Sequence, residues 1–270
     1  MLGNIEIIQE VQKMSDRNQE GRRIFNFNDR DAYSEYVRGG LSFRGVTWLQ
    51  LSYSDATKTG AYFLHFASAG EPFVHDHRDF EELLVLQGSI KDDAGREYVR
   101  GDFIGLTPLT PFTSFSSKDT ILLCSVHPSS SRPPELADAF ESKPIVRSIY
   151  DKTGYSSFFA YGKPYPNVDW LPLTKRDTGV GSYFASYQPP ARSRPHEHQG
   201  SEEFLVFEGE FNDHDGTLFK EGDFVVYAAG TQHYSYASAP ALLHVIMASP
   251  NRRLDAAQES SFEAKHPYVG

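Results

Sequence analysis

Two strings in this chain carry the residue types that hold a divalent cation. The first is His75-Asp76-His77, followed by Glu81 and Gly88; the second is His196-Glu197-His198, followed by Glu202 and Gly209, 121 residues later. Imidazole nitrogens and carboxylate oxygens suit iron, manganese, nickel and zinc alike, so the chemistry indicated is metal binding with positions left for water, dioxygen or a chelating substrate. On a strand, side chains alternate between faces, so His196 and His198 project to one side roughly 6.5–7 Å apart along the chain. Glu202 comes after a bend at Gln199-Gly200-Ser201, and alternation places the competing carboxylate, Glu203, on the opposite face. Downstream, Gly222-Asp223 and then Ala228-Ala229-Gly230-Thr231-Gln232-His233 supply a turn and a third histidine. A barrel brings His233 opposite the first pair, giving three nitrogens and one carboxylate.

The first string is incomplete. Phe112 stands where His233 stands in the second, or Thr113 does if the turn is one residue longer, and Thr107-Pro108-Leu109 stands in place of Ala228-Ala229-Gly230. His75, His77 and Glu81 are enough for a two-histidine, one-carboxylate triad, a possible second site. The opposing reading is a decayed site with Phe112 filling the space. Arg192 and Arg194 precede His196 at even spacing, so a strand that has already begun there turns them toward the ligands. An inward Arg194 would attract a carboxylate or enolate and orient the substrate, which makes it the catalytic candidate. Pro189-Pro190 and Pro195 argue that the strand has not begun. Tyr183, Tyr187, Phe204, Val206 and Tyr227 are expected to line the interior, mostly as core. His244 reads as a strand histidine, His214 as an exposed turn residue, and Cys124 as buried and inert.

The elements that position these residues come in duplicate. Between residues 75–112 and 196–233, 13 of 38 positions are identical without a gap. The same register pairs Gly60-x-Tyr62-Phe63 with Gly181-x-Tyr183-Phe184, and one residue of slippage pairs Trp48-Leu49 with Trp170-Leu171. Each copy reads as short strands between turn signals: Ala61–Phe66, Glu82–Leu86, Glu97–Arg100, Phe103–Leu106 and Ile121–Val126 in the first. Many short strands without long helical periods indicate an all-β chain of two tandem barrels or jelly rolls. The expected plan is an N-terminal arm at 1–45 with helical spacing at Ile5–Met14, a first barrel at 46–130 and a linker at 131–165. That linker holds a short helix near Glu135–Glu141. A second barrel at 166–255 and a tail at 256–270 complete the plan.

Composition narrows the function class. A net charge of -10 with no clustered basic surface works against nucleic-acid binding. No run of ~20 apolar residues reads as a membrane span, and the first residues show no secretory pattern. The single cysteine excludes an intramolecular disulfide and suits a reducing cytoplasm. A small-molecule substrate is the expected partner.

The pattern His-x-His-(three)-Glu-(six)-Gly, followed by Gly-(five)-Ala-x-Gly-x-x-His, resembles the two defining motifs of the cupin superfamily. Two copies, over roughly 46–127 and 168–250, resemble a bicupin. Glu82-Leu83-Leu84-Val85-Leu86-Gln87-Gly88-Ser89 and Asp92-Asp93-Ala94-Gly95 also resemble the cupin domain of ChrR-type zinc anti-sigma factors, a subgroup close to small cupin dioxygenases. The resemblance implies double-stranded β-helix barrels and, for the second copy, the ligands His196, His198, Glu202 and His233. It further implies a homodimer through exposed sheet edges. The leading expectation is an Fe(II) oxygenase acting in the C-terminal barrel, with Mn(II), Zn(II) or Ni(II) as other cations. The rivals are an Mn- or Zn-dependent lyase, decarboxylase or isomerase, a zinc-binding sensor, and a metal-free binding protein.

Overall fold

A computed structural model describes residues 21–38, 41–69, 72–74, 79–108, 110, 112–128, 144–160, 162–174 and 180–267. The described residues are mostly β-sheet and fall into two compact units. One lies within residues 27–155; the other combines residues up to 26 with those from 156 onward.

In the first unit a seven-stranded antiparallel sheet runs in the order Ile145–Ser148, Asp102–Leu106, Phe80–Gln87, Thr120–His127, Gly60–Phe66, Leu41–Gln50, Ser34–Arg38. A four-stranded sheet of Pro72–Val74, Thr113–Ser116, Ser89–Asp92 and Glu97–Val99 completes it. The second unit repeats the larger order: Arg22–Asn26, Asp223–Tyr227, Glu202–Asp213, Ala241–Met247, Gly181–Tyr187, Lys163–Pro172, Ser156–Ala160. Leu218–Lys220 and Ser235–Tyr236 also pair with its long central strand, and a three-stranded sheet joins Gln232–His233, His196–Glu197 and Arg252–Arg253. The hydrogen bonds of the described residues leave every one of these sheets open.

The strand positions read from alternation are found within a residue or two of their ends. Alternating residues of each strand build an inner apolar layer: Leu64, Leu83, Val85, Ile104 and Leu122 in the first unit, Ala185, Phe204, Val206, Val225 and Leu243 in the second. Even ring pairs are duplicated. Trp48 meets Tyr62 edge to face at 5.6 Å, and Trp170 meets Tyr183 likewise at 5.8 Å. The motif glycines have a steric reason: Gly88 and Gly209 adopt φ of +72° and +82°, and a Cβ at Gly209 would lie 2.0 Å from the Pro240 carbonyl oxygen.

The unit boundaries differ from those drawn from the repeat alone. Strands at Arg22–Asn26 and Ser34–Arg38 lie in the stretch expected as an arm, Leu41–Gln50 begins there, and Ile145–Ser148 and Ser156–Ala160 lie in the stretch expected as a linker. Each short leading strand serves an edge: Arg22–Asn26 pairs with Asp223–Tyr227, and Ile145–Ser148 with Asp102–Leu106. A tyrosine fixes the turn that follows each leading strand. Tyr33 donates to the Phe27 carbonyl at 3.0 Å and Tyr155 to the Ile149 carbonyl at 2.9 Å. These strands are short and only half apolar, so composition gave them no strand signature. The tail contains a helix, Ala256–Lys265, whose start is closed by an Asp255–Gln258 capping box. The helices expected at Ile5–Met14 and Glu135–Glu141 lie outside the described residues.

Candidate metal centre

Three short segments bring the ligand types together. His196 sits opposite His233 in the small sheet, and His198 follows two residues after His196. Glu202 opens the long central strand, where it pairs with Tyr227 on one side and Met247 on the other. Ligand atoms of His196, His198, Glu202 and His233 all lie within 4.8 Å of one another, and all four residues are buried. The Nε2 atoms of His196 and His198 approach to 3.2 Å. Glu202 oxygens stand 3.9, 3.8 and 3.7 Å from the Nε2 atoms of His196, His198 and His233. Glu203, also buried, is not among the four clustered residues.

The other nitrogen of each ring fixes its tautomer. His196 Nδ1 donates to the Arg194 carbonyl at 2.8 Å. Thr231 spends its hydroxyl proton on the Ala228 carbonyl at 2.7 Å, so its oxygen accepts from His198 Nδ1, also at 2.7 Å. His233 Nδ1 donates to Asp213 at 3.2 Å. With all three Nδ1 atoms acting as donors, each ring in its neutral form presents a bare Nε2 lone pair to the others. Two such lone pairs at 3.2 Å repel unless a cation lies between them. Among the described residues His233 Nε2 is buried with no hydrogen-bond partner, a costly state for a polar atom. The donor set therefore fits a divalent metal.

Charge is arranged to match. Burial pushes the His198 imidazole down to about 3, which keeps it neutral. At His233 burial works in the same direction, but the carboxylates of Asp213 and Glu202 outweigh it and raise the imidazole to about 9. Burial also opposes charge on Glu202, yet the neighbouring imidazoles hold its carboxyl well below the ordinary range. Asn251 donates to Glu202 Oε2 and steadies that side chain.

Asp213 was not singled out as a site residue, although its repeat partner Asp92 is identical. It is fully buried and accepts from Tyr227 Oη and Arg22, both at 2.6 Å, besides His233 and His214. Arg22 also donates to Thr217 at 2.8 Å and pairs with Asp215 at 3.0 Å. A carboxylate on the far nitrogen of a metal-type histidine orients the ring and raises its basicity. The signal that could have found it was the Asp92/Asp213 identity in the duplication. Nothing local marks Arg22, which is 191 residues from Asp213. Tyr227 packs on His233 with ring centroids 4.2 Å apart, and Tyr183, Tyr187, Phe204 and Val206 lie in the same core, as expected.

The strand carrying His196 begins at His196 itself, so Arg194 precedes it; its guanidinium lies over the Tyr165 ring at 5.7 Å, and its carbonyl is what orients His196. His214 is not exposed: its side chain is 12% accessible and packs against Phe262 and His266. His244 is a buried strand residue against Phe184, and Cys124 is a buried free thiol. In the first unit Glu81 is buried and accepts from Tyr62 Oη at 3.4 Å, while His75 and His77 lie outside the described residues. Phe112 is buried in the apolar core near Tyr98, and Asp92 accepts from Tyr98 at 2.8 Å. No described helix is long and apolar enough to cross a membrane.

The family model of the ChrR cupin-like domain matches residues 155–249. No curated protein matches the sequence. Among solved structures, a candidate dioxygenase from Nostoc punctiforme is similar at a TM-score of 0.59 and 13% identity, over 87% of this chain and 84% of that one. HEPD of Streptomyces albus, solved with 2-hydroxyethylphosphonate and Fe(II), gives 0.52 and 9% identity over 92% and 79%. A cupin 2 conserved barrel domain protein from Leptotrichia buccalis gives 0.50 and 18% identity over 83% and 95%. At such identities the likeness is one of fold. The chain has a cupin-superfamily fold in two sheet units, the second of which gathers three histidines and a glutamate in an arrangement suited to a divalent metal.

Proposed function

We propose that the protein is a metal-dependent enzyme of the lyase, decarboxylase or isomerase type, using Mn(II) or Zn(II) and acting on a small oxygen-chelating, anionic substrate in the second unit. The observation that carries this reading is the buried cluster of His196, His198, Glu202 and His233 with every Nδ1 proton engaged and every Nε2 turned inward. A cation held there would supply Lewis acidity to the oxygens of a chelating substrate. Four protein donors leave fewer open positions than a two-histidine, one-carboxylate triad does, which favours activation of one bidentate substrate over joint binding of substrate and dioxygen.

The surrounding residues support such chemistry. Tyr227 packs on both His233 and His198, and Phe204 packs behind Tyr227, so apolar surface beside the cluster lowers the local dielectric. Burial, followed by the negative charge of Glu202, keeps the Tyr187 hydroxyl protonated far above neutral pH, so it can donate a hydrogen bond to a developing negative charge. The second reading is an Fe(II) oxygenase, because the same donors accept iron. The third is a zinc-binding sensor, favoured by the family match over residues 155–249.

One experiment separates the three. The stripped protein is reloaded with Mn(II), Zn(II) or Fe(II) and offered 2-oxo acids, hydroxy acids and short dicarboxylates with and without oxygen. Turnover under strict anaerobiosis supports the proposal; turnover that requires oxygen selects the oxygenase. Stoichiometric metal with no turnover selects the sensor.

A further inference from the structure

The small sheet Gln232–His233, His196–Glu197, Arg252–Arg253 has two distinguishable faces. On one, Gln232 and Arg252 both hydrogen-bond Glu197, at 2.9 and 2.7 Å. Residues paired across antiparallel strands project to the same side, and successive residues to opposite sides. The other face therefore carries the row His233, His196, Arg253, in that order. Arg253 flanks a metal-type histidine on the side where the ligands converge, and 40% of its side chain remains accessible.

Arg253 also opens onto a cleft of about 550 Å³, where Lys163, Arg192, Arg194, Tyr165 and Glu259 join it. That volume is in the range of small-molecule sites. Four cations face one carboxylate there, in a chain of net charge -10. Arg192 is engaged by Glu263 at 2.5 Å and Arg253 meets Glu259 at 3.7 Å. Among the described residues Arg194 and Lys163 have no carboxylate partner, and Arg194 is steadied over Tyr165. Tyr165, which lines the cleft, lies in one buried core cluster with Tyr187 and with Tyr227, the ring that packs on His233.

We propose that Arg253, Arg194 and Lys163 form an oxyanion-binding cleft that holds an acidic group of the substrate beside the metal centre. The proposal rests on the enzymatic reading above and narrows its substrate class to small molecules with one end for the cation and a carboxylate or phosphate at the other. Guanidinium forks suit either oxyanion through paired, charge-assisted hydrogen bonds.

The test is calorimetric titration of Mn(II)-loaded full-length protein with inorganic phosphate and, separately, with malonate, alongside Mn(II) uptake followed by electron paramagnetic resonance. The variants are Arg253→Gln, Arg194→Gln and, on the opposite face of the same strand, Arg252→Gln. The expected result is binding of at least one anion, weakened tenfold or more in Arg253→Gln and Arg194→Gln and unchanged in Arg252→Gln, with Mn(II) uptake the same in all. The preferred probe tells a carboxylate cleft from a phosphate cleft. Equal affinity in every variant, as direct chelation alone would give, overturns the proposal, and so does failure of the wild type to bind either anion. A protein that takes up no Mn(II) yet still binds anions through Arg253 would sink the enzymatic reading and leave the cleft standing.

Discussion

Asp213 joins the metal cluster to the rest of its unit. Its carboxylate orients His233 and is itself held by Arg22 and Tyr227, so its removal leaves a buried guanidinium and an unsteered imidazole. Asp213→Asn should weaken metal binding by about 10–100-fold with the fold retained, read by competition titration against a chelating dye. Titration behaviour gives a second expectation. In metal-stripped protein the His233 imidazole is raised to about 9 from an ordinary 6.5. A raised folded value means its contribution to stability is full below about pH 6.5 and is lost as pH climbs through 9. The unfolding temperature of stripped protein should therefore fall between pH 6.5 and 9. Metal must displace that proton, so affinity should rise over the same interval, with about one proton released per ion near neutral pH in a two-buffer calorimetric comparison. An unfolding temperature that stays level across the interval would count against the Asp213–His233–Glu202 coupling.

At the scale of elements, the edge strand Arg22–Asn26 completes the sheet of the second unit and delivers Arg22 to Asp213. Ile24, midway along it, is buried in that unit's core and pairs with Val225. Ile24→Ala deletes a buried side chain that anchors this strand, and should cost about 2–5 kcal/mol in chemical unfolding. Metal affinity should fall in parallel, because Arg22 loses its station. Preserved metal affinity in that variant would show that the edge strand is dispensable to the centre. How much of this was legible in sequence differs by element. Long strands such as Thr120–His127 and Ala241–Met247 are buried along nearly their whole length and are obvious as apolar runs. Arg22–Asn26 and Ile145–Ser148 are not, because a strand that merely caps an edge needs few apolar residues and its hydrogen bonds carry no sequence mark. The Arg194 strand shows a different limit. Even spacing predicts a shared face only where backbone is regular, and Pro195 delays the strand to His196.

At the scale of the molecule, duplication has produced two units of matching strand order and different interiors. Where the second has His233, the first buries Phe112 among Ile104, Leu106 and Tyr98, so the third nitrogen is replaced by apolar packing. Elemental analysis should find one divalent ion per chain, lost in His198→Ala or His233→Ala and retained in Glu81→Gln. Two ions per chain would restore the site at His75, His77 and Glu81. The sequence alone determined the duplication, the all-β class, the four candidate ligands and the imbalance between the copies, because those rest on residue identity at short, fixed spacing. Tertiary structure alone decided which carboxylate backs His233, which distant arginine neutralises it, and that Arg253 stands in line with His196. Such relations join residues tens to nearly two hundred positions apart, and only the register of paired strands sets them.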